Sequence, residues 1–225
     1  GVLESSEERK KYRYAPRFVP AGQSTQMIVG ATADRDKDIL NLSSALYARP
    51  TMRRVYYSGY IAVNTYDKRL PVLKQPPLVR ENRLYQADWL LRFYQFKVDE
   101  IVNDTHPDLD LEIDPKLSWA LRHPECFPVD INQADYEMIL RIPGVGVKSA
   151  QLIVSSRRFG RLTSYHLKKM GIVMKKAQFF ITCGELEAKG VNELRPERVR
   201  ELLLPASKKK SDDKQLSLPF EEESE

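Results

Sequence analysis

The run Pro143-Gly144-Val145-Gly146-Val147-Lys148-Ser149 sets two glycines around one apolar residue, directly before a helix-compatible segment. Asn132 reads as the N-cap of a first helix containing Tyr136, Ile139 and Leu140. Pro143 ends that helix at Ile142. Glycine permits positive φ at the turn and lets a ligand come close to the backbone. A second helix is expected from near Val147 through Ala150, Leu152 and Ile153 to about Arg158, and the small Ala150 lets the two helices pack closely. The first N–H groups of a helix have no partner within it. Backed by the positive end of the helix dipole, such amides bind anions, and Lys148 adds a mobile positive charge beside them. A nucleic-acid phosphate fits a site of this kind.

The pattern recurs. Leu167, Gly171, Ala177 and Phe180 follow Leu140, Gly144, Ala150 and Ile153 at one constant offset. In the second copy Met170 stands for the proline and Val173 for the second glycine, so this turn is degenerate. Between Met138 and Gly184 there are nine Lys and Arg and no Asp or Glu, which places Lys168, Lys169, Lys175 and Lys176 around the second turn. Basic charge coinciding with two such turns favours phosphate contact over a merely solvated face.

Other catalytic constellations are poor. His106, His123 and His166 have no metal-ligand spacing. Cys126 and Cys183 stand far apart in the sequence and can form neither a disulfide scaffold nor a CxxC site. No phosphate-binding P-loop and no Gly-x-Ser-x-Gly elbow is present. A repair glycosylase that carried two such turns would use a lysine or aspartate after the second, which makes Lys168, Lys169 and Lys175 candidates by position only, and the catalytic residue is unknown.

The elements that must carry these residues form four zones. In residues 1–78 a polar start leads into strand, helix and strand. Met27-Ile28-Val29 and the β-branched, aromatic RRVYYSGYIAV are the strands, and Ile39, Leu42, Leu46 and Tyr47 form one helical face between them. A strand, a crossover of ~20 residues and a strand make a parallel βαβ unit. Parallel strands are normally covered on both faces in larger sheets, and two strands alone are marginal. No further strand is evident downstream. The sheet therefore needs strands from elsewhere, or else residues 17–78 pack on the following helices as a small α+β layer. Residues 79–104 read as one helix with Leu84, Trp89, Leu91, Phe93, Phe96, Val98 and Ile101 on its apolar face, and an acidic connector to Pro115 follows. Residues 116–205 read as entirely helical. Residues 206–225 are blocky in charge and expected to be disordered.

With 225 residues, 42% hydrophobic and 30% charged, and a net charge of +5, the chain suits one medium domain or two small ones. No apolar run reaches the ~20 residues of a spanning helix, and no secretory signal is visible. A cytoplasmic, reducing setting is the expectation. The first methionine is Met27, so the chain reads as a fragment or a processed product.

Ile142, Pro143, Gly144, Val145, Gly146 and Ala150 together resemble a helix-hairpin-helix motif, and the tandem copy resembles the paired helix-hairpin-helix domain of DNA repair proteins. The resemblance implies that two hairpins grip phosphates across the minor groove without reading sequence. The DNA-binding residues would be Gly144, Val145, Gly146, Val147, Lys148 and Ser149, with Gly171, Lys175 and Lys176. Such domains often hold a monovalent cation on hairpin carbonyls, and the matching carbonyls here belong to Leu140, Ile142 and Val145.

The upstream segment GQSTQMIVGATADRDKDILNLSSALYARPTMRRVYYSGYIAVN, with RENRLYQADWLLRFYQF, resembles the last strands and helices of the radical S-adenosylmethionine barrel. The closest likeness is to radical-SAM DNA modification or repair proteins with a helix-hairpin-helix tail, over about Arg17 to Pro205. The implied fold is α/β plus all-α, a partial barrel edge followed by the tandem domain. Of the fifth-strand pattern GxIxGxxE only Ile28 and Gly30 match, with Gln26 and Ala33 at the other two places. The sixth strand, around Tyr57 to Tyr60, would meet adenine through its backbone. The family's CxxxCxxC motif, which ligates a 4Fe–4S cluster, is missing. The resemblance implies S-adenosylmethionine and the cluster in a parent protein, with the cysteine loop before Gly1 and no S-adenosylmethionine cleavage by this chain alone.

In the tail, Gln215, Leu216, Leu218 and Phe220 concentrate the apolar side chains. QLSLPF resembles the QLxLxF peptide by which bacterial repair proteins bind the sliding clamp; alternatively it is an apolar patch that folds back on the domain. The expected activity is sequence-independent DNA binding within a radical-SAM modification or repair protein. The alternative is a non-enzymatic DNA-binding adaptor that recruits a clamp or another repair protein.

Overall fold

The computed structural model describes residues 2–12, 14–15, 19–63, 66, 70–71, 75–184 and 195–204. It is mixed helix and sheet, 47% helical and 11% strand, with no closed barrel among the described residues. After an N-terminal helix α1 (Val2–Lys11), the expected βαβ unit is present as β1 (Gln23–Val29), α2 (Asp36–Tyr47) and β2 (Met52–Gly59), and its two strands are parallel.

The sheet packs one face on helices. Val29, Val55 and Tyr57 are buried there against α2 and α3 (Leu78–Phe93), while Ile28 and Tyr56 stand on the open face. On α2 the buried positions are Asp36, Ile39, Leu40 and Ser43, and Leu42 is exposed, so the buried face is rotated from the expected one. A hydroxyl-bearing chain explains the rotation: Ser43 Oγ lies 2.8 Å from the Tyr57 hydroxyl, which donates to Asp88 of α3 at 3.3 Å. Burying Ser43 satisfies polar groups that would otherwise be orphaned.

The two strand edges differ. On β2 the outward N–H groups of Val55, Tyr57 and Gly59 donate to Tyr47 Oη (3.0 Å), Tyr85 Oη (3.0 Å) and Glu81 Oε2 (2.6 Å). Side chains thus occupy the places where a further strand would pair. On β1, Val29 faces β2 by accepting from the Tyr60 amide, so alternation turns Ser24, Gln26 and Ile28 outward.

The expected single helix over 79–104 is broken. α3 stops at Phe93, Gln95 takes φ +59°, and a short α4 (Val98–Ile101) follows. The Phe96 amide returns to the Leu90 carbonyl, the signature of a left-handed C-terminal cap. The break buries Phe96 edge-on against Trp119, with ring centroids 5.6 Å apart, and Arg141 lies over both rings. Trp89, expected in the core, is instead 50% exposed. Asp114 caps α5 (Pro115–Arg122) by accepting from the Leu117 amide, with Pro115 opening the helix as expected.

Residues 116–205 are not wholly helical. β3 (Val129–Asp130) pairs in parallel with β4 (Ile181–Thr182), each too short to read from the sequence. Between them lie α6 (Tyr136–Arg141), α7 (Val147–Ser156), α8 (Ser164–Lys169) and α9 (Met174–Ala177), so the small ladder closes both repeats into one unit. The N-cap of α6 is Asp135, which accepts from the Met138 amide at 2.7 Å. Asn132 instead holds the loop after α7, accepting from the Leu162 amide at 2.8 Å. A last helix, α10 (Pro196–Leu203), packs on α5, and its Arg200 pairs with Asp110 and Glu112.

Candidate functional site

The repeat inferred from residue types is visible in the backbone. α6 and α7 join through Ile142–Gly146, and α8 and α9 through Met170–Val173. Gly144 and Gly171, at equivalent places, both take left-handed φ, +88° and +78°. Only glycine occupies that region without steric cost. The two turns lie side by side. The Val173 amide donates to the Gly144 carbonyl at 3.0 Å, and Ser149 Oγ donates to the Met170 carbonyl at 2.8 Å.

Gly146 differs from Gly144. It has φ −92°, an ordinary value, and an added Cβ would meet only Tyr94 Oη, at 3.9 Å. Its counterpart Val173 has a similar φ of −77° and carries a full side chain. The fold therefore does not need a glycine at this position, whereas close approach of a ligand would. Gly146 is also the N-cap of α7 and gives it no side-chain cap; of the amides that open this ten-residue helix, Val147 donates to the Tyr94 hydroxyl, and Gly146 and Lys148 have no partner among the described residues.

Residues expected at the interface divide by exposure. Lys148, Gly171 and Lys175 are exposed, and Gly146 and Val147 are half-buried. Val145 and Ser149 are buried, and Ser149 spends its hydroxyl on the second turn. Lys176 Nζ pairs with Asp114 at 2.6 Å, which makes it a tie between α9 and α5. Arg141 pairs with Glu100, and Arg157 donates to the Ile131 and Ala134 carbonyls. Among the described residues, the other six basic side chains of the acid-free stretch make no ion pair: Lys148, Arg158, Arg161, Lys168, Lys169 and Lys175. Helix direction sorts them. Lys148, Lys168, Lys169 and Lys175 sit in turns adjoining the two glycine elbows, while Arg158 and Arg161 lie beyond the far end of α7, roughly 15 Å away.

A pocket of about 320 Å³ opens beside the first turn. It is lined by Gly144, Val145, Gly146 and Val173 of the two turns, by Asp114, Pro115 and Lys116 at the start of α5, and by Gln86, Trp89, Leu90 and Tyr94 of α3 and its end. Lys116 was not foreseen. It is 8% exposed, donates to the Val145 carbonyl at 2.6 Å and lies 4.6 Å from the Tyr94 ring centroid. Burial draws its amine down to about 7, with Asp114 pulling it back up and the Lys176 charge adding to the fall. Burial also raises the Tyr94 hydroxyl, against the Val147 amide that donates to it. No sequence signal marks Lys116, because its partner lies 29 positions away.

No family model matches the sequence, no curated protein is detectably similar to it, and no solved structure matches its fold.

The upstream candidates are separated. Ile28 and Gly30 line a pocket of about 240 Å³ at the carboxyl end of β1 with Thr32, Asp34 and Leu42. Tyr57 points the other way, 2% exposed, and its backbone N–H and C=O are both engaged by Tyr85 Oη. Neither of its backbone groups is left for an adenine. Cys126 and Cys183 are free thiols whose ionisation burial pushes up, which disfavours nucleophilic use. Among the described residues no group of three or more His, Cys, Asp or Glu could hold a metal ion. A 4Fe–4S cluster does not fit the donors present. Among them, too, no helix is long and apolar enough to cross a membrane. Gln215, Leu216, Leu218 and Phe220 lie outside the described residues.

Proposed function

We propose that the α6–α9 unit binds duplex DNA through phosphates, without reading sequence. The observation that carries this reading is the pair of left-handed glycine elbows, Gly144 and Gly171, whose turns are hydrogen-bonded to each other. The first opens a helix whose N-cap, Gly146, offers no side chain, and of its opening amides Val147 is held by the Tyr94 hydroxyl while Gly146 and Lys148 have no partner among the described residues. Four lysines without an ion pair stand around the elbows and supply counter-charge without base-specific geometry. The second helix start has a single turn, so α9 contributes packing and Lys175 more than a dipole.

A charge series tests the reading. Replacing Lys148, Lys168, Lys169 and Lys175 by alanine in turn should lower the slope of log affinity against log salt by about one unit each. The Arg158→Ala, Arg161→Ala double variant should change it far less, because those charges stand at the other end of α7. Anisotropy titrations with two duplexes of unrelated sequence supply the readout. Equal losses from both ends would place the contact elsewhere.

The βαβ unit is read as the closing edge of a larger parallel sheet of radical-SAM type. Support comes from β2, whose outward amides are occupied by side chains, and from β1, whose outer edge is not paired among the described residues. Any S-adenosylmethionine or cluster chemistry would belong to a larger parent protein, and the sliding clamp would be a partner of the tail.

A further inference from the structure

The helix-hairpin-helix resemblance calls for a monovalent cation on the carbonyls of Leu140, Ile142 and Val145. These groups do not fit a free ion. The Val145 carbonyl accepts from Lys116 Nζ at 2.6 Å, which sets a fixed positive charge where the ion would sit. We infer that the Lys116 ammonium is a built-in replacement for that ion, and that it forms part of the surface presented to a phosphodiester oxygen.

The argument is geometric. α5 delivers Lys116 from its first turn, and the Asp114 cap and the Asp114–Lys176 pair fix that turn against the second hairpin. Asp114 is thereby occupied and makes no ion pair with Lys116. An ammonium has three donors. One reaches Val145, and the other two have no oxygen or nitrogen partner among the described residues. A side chain this buried, with open donors and a pocket beside it, is matched to an anion arriving there. Tyr94 steadies the ammonium through its ring and the helix start through its hydroxyl, so both anion-facing groups share one support.

The inference rests on the DNA-binding reading for the identity of the anion, but its ionic half is independent of it. At constant ionic strength and a pH at least a full unit below the Lys116 value of about 7, so that the amine carries its proton, the wild-type chain should bind a duplex equally well in potassium, sodium or choline chloride. Lys116→Met should weaken binding about tenfold in choline, and potassium should restore part of the loss. Lys116→Arg should keep most of the affinity and none of the cation dependence. Thallium(I) NMR on the DNA-free proteins should detect no bound ion in the wild type and one in Lys116→Met, after circular dichroism has shown that the variant folds. Wild-type affinity that requires potassium, a thallium site in the wild type, or unchanged binding by a folded Lys116→Met would each overturn the inference. Absence of duplex binding by the wild type in every salt would refute the DNA reading and the phosphodiester half with it. Thallium would still decide whether the lysine replaces an ion.

Discussion

Gly146→Val should weaken duplex binding at least about a hundredfold while lowering folding stability by no more than about 1 kcal/mol. The expected loss corresponds to two phosphate hydrogen bonds from backbone amides, each about 1.5–3 kcal/mol with a charged acceptor. The small stability cost reflects the preference for glycine over valine at an N-cap. The chain contains its own control. Val173 occupies the equivalent place in the second repeat, with a similar φ of −77° and a β-branched side chain. At Gly146 an added Cβ meets nothing closer than the Tyr94 hydroxyl at 3.9 Å. Fluorescence anisotropy paired with urea denaturation separates the two effects. Binding retained in a folded Gly146→Val protein would mean that no ligand approaches this backbone.

Gly144→Ala should behave in the opposite way, with stability falling first and binding only as a consequence. A left-handed residue with a Cβ costs about 1–2 kcal/mol. Here the new methyl would also stand 2.7 Å from the Val173 carbonyl oxygen, a backbone atom of the neighbouring hairpin. Forcing the two turns apart adds about 1–3 kcal/mol and strains the Val173–Gly144 hydrogen bond. The expected total is about 2–5 kcal/mol. Gly171→Ala offers the comparison: the same backbone conformation, but with Ser149 Oγ no nearer than 4.0 Å, so only the conformational cost of about 1–2 kcal/mol should appear. Chemical denaturation of both variants reads the difference directly. Equal losses would mean that the hairpins do not press on each other.

Local signals carried the hairpins, and longer-range ones were hidden. Pro143 and Gly144 announced the first turn because each acts through its own backbone dihedrals. The constant offset from Leu140, Gly144 and Ala150 to Leu167, Gly171 and Ala177 announced the second, although Met170 and Val173 had replaced two of its markers. The βαβ unit was legible through the apolar run at Met27 and the β-branched run before Gly59. The break at Gln95 was not, since a non-glycine residue takes φ +59° there so that Phe96 can reach Trp119. Ser43 displaced Leu42 from the core of α2 because a buried hydroxyl chain to Tyr57 and Asp88 outweighed hydrophobic periodicity. β3 and β4 are two residues each, below the length at which alternation can be seen. Asn132 reads as the cap of α6 but Asp135 takes that place, because both residue types can cap a helix and the packing of the loop before α8 occupies Asn132. Lys116 and Tyr94 complete the site through contacts that no spacing rule connects.

Backbone amide shifts followed by NMR during titration with a duplex of arbitrary sequence test the central claim most directly. The account predicts that the largest changes fall on Gly146 and Lys148, whose N–H groups open α7, and that they fade as salt is raised. Stationary signals there, with binding reported from some other surface, would contradict it.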